Sequence, residues 1–188
     1  MIIFVGGLIG AGKSTVAKGL ADYFSIHYYD VDEIKKAVFS QDPDYEHNLK
    51  HGIPFGDAIR KKVYQRVTED LKKLRETHDC LVIDETLHKK ANREILFEGA
   101  KKHFGSYIVI WVKAPEETII QRLTDKHREG HILADPLAMH NAFLKEFEDF
   151  EESLIVCWNE NGMEQTLSSL ITIISGADEL ARHRISQT

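Results

Sequence analysis

Residues Gly7 to Ser14 read GLIGAGKS, an uninterrupted G-x-x-x-x-G-K-[ST] pattern directly behind the apolar run Met1-Ile2-Ile3-Phe4-Val5. The stretch after it, residues 13–24, has a helical pattern, so strand, glycine turn and helix follow in the order the motif requires. The glycines let successive backbone N–H groups curve around phosphates, and the helix N-terminus brings its positive end to the same place. A plain glycine turn can also follow a strand, but here both the lysine and the serine fall in register. Gly7, Gly10, Ala11, Gly12, Lys13, Ser14 and Thr15 are therefore expected to cradle the phosphates of a nucleotide. Lys13 is expected to reach the β and γ phosphates, and the Ser14 hydroxyl to bind Mg²⁺.

The rest of the chain alternates in the same way. Apolar runs at 2–5, 26–29, 80–83, 107–112 and 154–157 read as strands, and several are continuous, as strands covered on both faces of a parallel sheet should be. Helical patterns lie at 14–23, 32–39, 58–77, 90–103, 116–126, 137–152 and 164–174. In the third of these Ile59, Val63, Val67, Leu71 and Leu74 form one apolar stripe with charges between them. The expected fold is α/β: a three-layer arrangement on a central parallel five-stranded sheet, with right-handed crossovers. A chain of 188 residues buries one full core, so a single domain is expected over 1–176, with a polar tail at 177–188. Two segments stand outside the crossover units. Residues 40–56, broken by Pro43, Gly52 and Pro54, read as a long loop on the substrate side, and residues 127–136 as a closing lid.

Composition narrows the function. Acidic residues outnumber basic ones, 30 to 24, for a formal net charge of −6, which argues against a protein that coats nucleic acid. Cys80 and Cys157 both sit in apolar runs and read as buried packing residues. The ten histidines include no H-E-x-x-H pattern and no Cys/His cluster. The opening apolar stretch lacks a basic lead-in, and the run at 170–174 is far below the roughly 20 residues that span a bilayer. A cytoplasmic protein with no membrane partner is the expectation.

Two acidic centres accompany the phosphate loop. Asp84 closes the run 80–83, and in open parallel sheets ligands lie outside the carboxyl ends of the strands. Asp84 is the expected second residue for Mg²⁺. Glu85 beside it would activate water in many ATPases, or else favour a helix N-terminus; Thr86 would cap a helix or bond near the phosphates. Asp30 and Asp32 follow the run 26–29. Phosphoryl transfer to an alcohol profits from a carboxylate that orients the hydroxyl and accepts its proton, and Asp32 is the expected group. Capping a helix is the alternative use of such an aspartate.

With these pieces in order, residues 1–160 resemble small P-loop kinases related to the kinase part of polynucleotide kinase, to gluconate kinase and to uncharacterised kinases of the AAA_33 type. The resemblance rests on GGLIGAGKST at 6–15, YDVDEIKKAVF at 29–39, VYQRVTEDLKKL at 63–74, LVIDETLHKKANR at 81–93 and VKAPEETIIQRL at 112–123. It implies a P-loop NTPase fold, ATP and Mg²⁺. The family's D-x-x-R falls on Asp32 with Lys35 in the arginine position, which keeps the charge but loses a planar fork for phosphate. Its D-x-T-x(n)-R falls on Asp84, Thr86 and Arg93, where Arg93 approaches substrate, steadies the loop, or is a solvated helix charge. Its lid arginines fall on Arg122 and Arg128, which would neutralise charge on the transferred phosphoryl group or form only a basic helical turn. Asn159, after the last strand, falls where such folds contact adenine, though N-E-N-G also reads as a turn.

The resemblance thus implies an ATP-dependent kinase acting on a hydroxyl of a small molecule. A polynucleotide 5′-hydroxyl kinase is the nearest variant, and a regulatory P-loop NTPase using Glu85 the alternative of another class. Neither the acceptor nor the oligomeric state is legible in the sequence.

Overall fold

The computed structural model describes residues 1–125, 135–160 and 163–175. Strands β1 (Ile2–Gly6), β2 (His27–Asp30), β3 (Leu81–Asp84), β4 (Tyr107–Lys113) and β5 (Ile155–Trp158) form one sheet in the order β2-β3-β1-β4-β5. Every neighbouring pair is parallel. Around it lie α1 (Lys13–Phe24), α2 (Val31–Phe39), α3 (Tyr45–His51), α4 (Asp57–Leu74), α5 (Lys90–Phe104), α6 (Glu116–Thr124), α7 (Pro136–Lys145) and α8 (Met163–Ser175). This is the expected three-layer α/β architecture. Strands β2, β3 and β5 start one residue later than the apolar runs suggested, and all five strands end one residue later.

β1 lies at the centre because both of its faces are apolar. Ile3 and Val5 pack with Val16, Leu20 and Leu170 of α1 and α8, whereas Ile2 and Phe4 pack with Val67, Leu71 and Leu96 of α4 and α5. Each such fully buried side chain contributes about 1.5–3 kcal/mol. The stripe along α4 is present at Val63, Val67 and Leu71, but the same face also buries Arg60 and Tyr64. Cys80 and Cys157 are buried and unpaired, as packing residues are. Among the described residues no helix is long and apolar enough to cross a membrane.

Register brings the acidic centres together at one edge. Val5 pairs with Asp84 across β1 and β3, and Asp30 pairs with Asp84 across β2 and β3. The glycine loop leaves β1 at the same carboxyl edge, flanked by β3 on one side and β4 on the other, where open α/β sheets hold ligands.

Two segments differ from the sequence reading. Residues 40–56 contain α3, which buries none of its side chains and so shows no apolar periodicity. The helix expected over 137–152 stops at Lys145. Beyond it the Glu148 N–H bonds the His88 carbonyl, and the carbonyls of Glu148 and Asp149 accept from Arg93. Phe147 and Phe150 then pack against Trp111. The Glu148 N–H, which a continuing helix would give to the Leu144 carbonyl, is thereby used in a tertiary bond. Most of the lid segment 127–136 and all of the tail 177–188 lie outside the described residues.

Candidate active site

The loop's shape depends on glycine. Gly10 and Gly12 have φ of 87° and 93°, a region that L side chains rarely adopt. A Cβ on Gly12 would stand 2.2 Å from Asn159 Nδ2, and one on Gly10 would stand 3.0 Å from Ile119 Cγ2. Helix α1 starts at Lys13 with Gly12 as N-cap; no side chain caps it and no acidic residue occupies its first turn. The loop's carbonyls are tied inward. Arg122 NH1 donates to Gly10 O at 3.1 Å and Ala11 O at 3.3 Å, Asn159 Nδ2 donates to Ala11 O at 3.0 Å, and His140 Nδ1 bonds Ile9 O at 2.8 Å. With the carbonyls engaged behind it, the loop presents glycine backbone and the open start of α1 to one cavity.

That cavity has a volume of about 460 Å³, within the range of small-ligand pockets. Lys13, Ser14 and Thr15 line it together with Asp32, Lys35 and Glu85. The remaining wall comes from α2, α3, α4, α7 and the segments beside them. Residues far apart in sequence, from the phosphate loop, the ends of β2 and β3, and segment 40–56, therefore face one space.

At the head of α2 the capping and acidic roles separate. Asp30 is the N-cap, its Oδ1 accepting from the Asp32 N–H at 2.9 Å. Asp32, in the first turn, is not the cap, and its side chain lines the cavity. Lys35 Nζ lies 2.9 Å from Asp32 Oδ1 and 2.8 Å from Glu85 Oε2, while the Tyr64 hydroxyl donates to Glu85 Oε1 at 3.1 Å. The Lys35 ammonium holds the Asp32 carboxyl down at about 2. Burial alone would lower the Lys35 ammonium, but the charges of Asp32 and Glu85 outweigh it and hold that group well above its usual value. Glu85 is 1% exposed, and Lys35 and Tyr64 supply the partners of its buried carboxylate.

Asp84 faces the other way. Its Oδ2 accepts from the Tyr28 hydroxyl at 3.2 Å, and its buried Oδ1 has no hydrogen-bonding partner. Among the described residues no group of three or more His, Cys, Asp or Glu is placed to hold a metal. A Mg²⁺ that arrives with phosphates needs less: one or two carboxylates, with waters and phosphate oxygens completing the octahedron. The orphaned Asp84 oxygen and the Ser14 hydroxyl fit that requirement.

Three residues near the site take positions the sequence left open. Thr86 is buried and lines the cavity; it caps no helix, since α5 begins at Lys90 after Lys89. Arg93 is 1% exposed rather than solvated. Its guanidinium donates to the carbonyls of Glu148 (2.8 Å), Asp149 and Leu87 (3.4 Å), and its Cζ lies 4.1 Å from the Phe150 ring centroid. It steadies the loop after β3, where Leu87 adopts a φ of 57°. Arg128 lies outside the described residues. Arg122 and Asn159, expected at the phosphoryl group and at adenine, donate from their side chains to the loop carbonyls.

Two residues that the sequence reading did not single out also line the cavity. Arg60 and His88 are buried, and Arg60 NH1 bonds His88 Nε2 at 2.8 Å. Arg60 NH1 also reaches Glu146 Oε2 at 3.2 Å. Burial, with the Arg60 charge beside it, pushes the His88 imidazolium down to about 3, so the ring is neutral near pH 7. Arg60 was detectable in principle: positions 60, 63, 64, 67 and 71 form one helical face.

The AAA_33 family's sequence model, described as an AAA domain, matches residues 2–150. Among solved structures, a sugar kinase from Janibacter sp. superposes with a TM-score of 0.75 at 23% identity, over 95% of this chain and 96% of that one. A gluconokinase from Sinorhizobium meliloti superposes with a TM-score of 0.67 at 20% identity, over 99% and 94%. An uncharacterized protein from Eubacterium ventriosum gives 0.55 at 17% identity, over 94% and 98%. At these identities the likeness is one of fold.

Proposed function

This chain belongs to the AAA_33 family, and from that premise we propose that it is an ATP-dependent kinase that transfers the γ-phosphoryl group to a hydroxyl of a small molecule. The observation that carries the reading is the single cavity in which the phosphate loop, with Lys13 and Ser14, faces the accessible carboxylate of Asp32. The sugar kinase and gluconokinase among its structural neighbours support the choice of a small acceptor.

In this reading the amides of residues 10–14 and the start of α1 hold the phosphates, and Lys13 lies against the β and γ oxygens. Ser14 and Asp84 would hold Mg²⁺, which neutralises charge on those oxygens when bound. Asp32 accepts a hydrogen bond from the acceptor hydroxyl and aims its oxygen at the γ-phosphorus. The new O–P bond forms as the bond to the β–γ bridging oxygen breaks, giving ADP and a phosphate monoester. With its carboxyl at about 2, Asp32 is a weak base. Its main work is orientation, which suits a loose transition state in which the hydroxyl keeps its proton until late. Arg122 and Arg128 would compensate phosphoryl charge, Arg122 only by leaving the loop carbonyls, and Asn159 would sit beside the nucleotide.

Glu85 weighs against a hydrolytic NTPase. Its carboxylate is held by Lys35 and Tyr64 and buried, which leaves it badly placed to activate water.

The test is a screen of Mg·ATP with sugars, sugar acids, nucleosides, aminoglycosides, hydroxylated aromatic acids and 5′-hydroxyl oligonucleotides, detecting phosphorylated product by mass. A phosphorylated small hydroxyl compound, absent with Lys13→Ala, is expected. Turnover confined to oligonucleotides would move the acceptor class. ATP turnover indifferent to every acceptor but raised by a protein partner would overturn the kinase reading.

A further inference from the structure

The wall of the cavity away from the phosphate loop is aromatic. Phe39 and Phe55 stack with centroids 4.1 Å apart, Tyr45 lies beside Phe55 at 5.9 Å, and Phe143 stacks on His88 at 4.2 Å. All of these side chains line the cavity. Such a wall favours a flat or apolar body and gives little to a chain of hydroxyl groups.

Set into this wall are hydrogen-bond donors without acceptors. Arg60 is 4% exposed and His88 3% exposed, so both are more than nine-tenths buried, and both line the cavity. Because Arg60 NH1 donates to His88 Nε2, the neutral imidazole carries its proton on Nδ1. Neither that Nδ1 nor Arg60 NH2 has a hydrogen-bonding partner. Both atoms are closed off from solvent behind the cavity wall, and leaving a buried donor unpaired costs free energy that a ligand's acceptor atoms would recover as the wall side chains give way.

The charge balance of the cavity points the same way. Among the described residues, Lys13, Lys35, Lys36 and Arg60 line it, against Asp32 and Glu85. Lys13 belongs to the phosphates, and Lys35 is shared between the two carboxylates. Arg60 and Lys36 remain, with Glu146 offsetting part of the Arg60 charge from one side. A cationic recess within a chain of net charge −6 selects for an anion.

We propose that the acceptor is a hydroxy acid with a flat, apolar body, its carboxylate received by Arg60 and His88 and its ring held among Phe39, Tyr45, Phe55 and Phe143. The proposal rests on the reading of this cavity as the acceptor side of a kinase. Arg60 is well suited to the carboxylate because its planar fork presents donors on two nitrogens, one of them already fixed by His88. Asp32 would repel a carboxylate placed near it, so the acid end is directed to the aromatic wall and the hydroxyl to the phosphate loop.

The test measures binding apart from transfer. Isothermal titration at pH 7 would compare 4-(hydroxymethyl)benzoate, 3-(hydroxymethyl)benzoate and mandelate with their three amides, on the wild type and on Arg60→Gln. Arg60→Lys serves as a second variant, with circular dichroism to confirm folding of both. At least one acid is expected to bind about tenfold or more tighter than its amide. That preference should fall below about threefold in Arg60→Gln and be partly restored in Arg60→Lys. Equal affinity of acid and amide in every pair, a preference that survives Arg60→Gln, or no binding of any acid would overturn the proposal. Acid-selective binding with no phosphoryl transfer to any alcohol would instead refute the kinase reading and leave the recess as an anion site. Transfer to neutral polyols with no acid preference would do the reverse.

Discussion

Replacing Arg93 by methionine isolates what its guanidinium does, since methionine fills similar apolar volume without donors. The side chain makes two strong bonds, to the carbonyls of Glu148 and Asp149, a long one to Leu87, and a face contact with Phe150. Two charge-assisted hydrogen bonds are worth about 3–6 kcal/mol together, and the cation–π contact adds about 1–2 kcal/mol. Removing a guanidinium that is 1% exposed returns part of this, because its desolvation cost of several kcal/mol is no longer incurred. The net loss should be about 2–4 kcal/mol. With a urea m-value of about 2–3 kcal/mol/M for a chain of this size, the midpoint should fall by about 0.7–2 M. Urea titration followed by far-UV circular dichroism measures this directly. Arg93→Lys, with one point donor in place of a fork, should recover less than half of the loss. The loop carrying Glu85, Thr86 and His88 should also loosen, so nucleotide turnover in buffer should fall for Arg93→Met. A midpoint within about 0.3 M of the parent would refute the account of Arg93 as the brace of this loop.

Asp32→Asn should lower phosphoryl transfer by about 10²–10⁴ while leaving Mg·ATP affinity within a few-fold, measured by single-turnover kinetics and titration. Because Lys35 holds Asp32 near 2 against an ordinary value of 3.8, Asp32 stays ionised above about pH 4, and kcat/KM should show no acid limb from it between pH 4 and 6. An inflection in that window that disappears in Asp32→Asn would contradict the ion pair. His88 is depressed from 6.5 to about 3, so the unfolded chain binds the extra proton between those values. Its stabilising contribution is complete above pH 6.5 and is lost as pH falls toward 3, at up to about 1.4 kcal/mol per pH unit. The urea midpoint of the wild type should therefore fall more steeply over that range than that of His88→Asn, and parallel slopes would exclude a buried neutral His88.

The legible part of this chain was its local part. The glycine loop, Lys13 and Ser14 are consecutive, so one motif carried them, and strand-end geometry placed Asp84 beside them. Arg60 was hidden because a charge on an amphipathic helix normally marks the solvated face; its register with Val63, Val67 and Leu71 was the available signal. His88 had no pattern around it. Helix α3 carries no apolar stripe because none of its side chains is fully buried, and helix α7 ends short of 152 where the Glu148 N–H bonds the His88 carbonyl, some 60 positions away, instead of the Leu144 carbonyl. The direction of Glu85 was likewise a tertiary matter, fixed by Lys35 on α2 and Tyr64 on α4.

Lys35 explains why the acceptor side needs its own cation. An arginine at that position would have a planar fork with donors to spare for a ligand. Lys35 has a compact ammonium that stands between Asp32 Oδ1 and Glu85 Oε2, at 2.9 Å and 2.8 Å, and is committed to both. Breaking either contact would leave Glu85, 1% exposed, with an uncompensated charge or Asp32 without its restraint. The lysine therefore ties the head of α2 to the end of β3, and the position of Asp32 is set by the sheet as well as by its own helix. Positive charge for an incoming anion must then come from elsewhere in the cavity. The groups placed to supply it are Lys36, one residue further along α2, and Arg60, held among aromatic rings on α4.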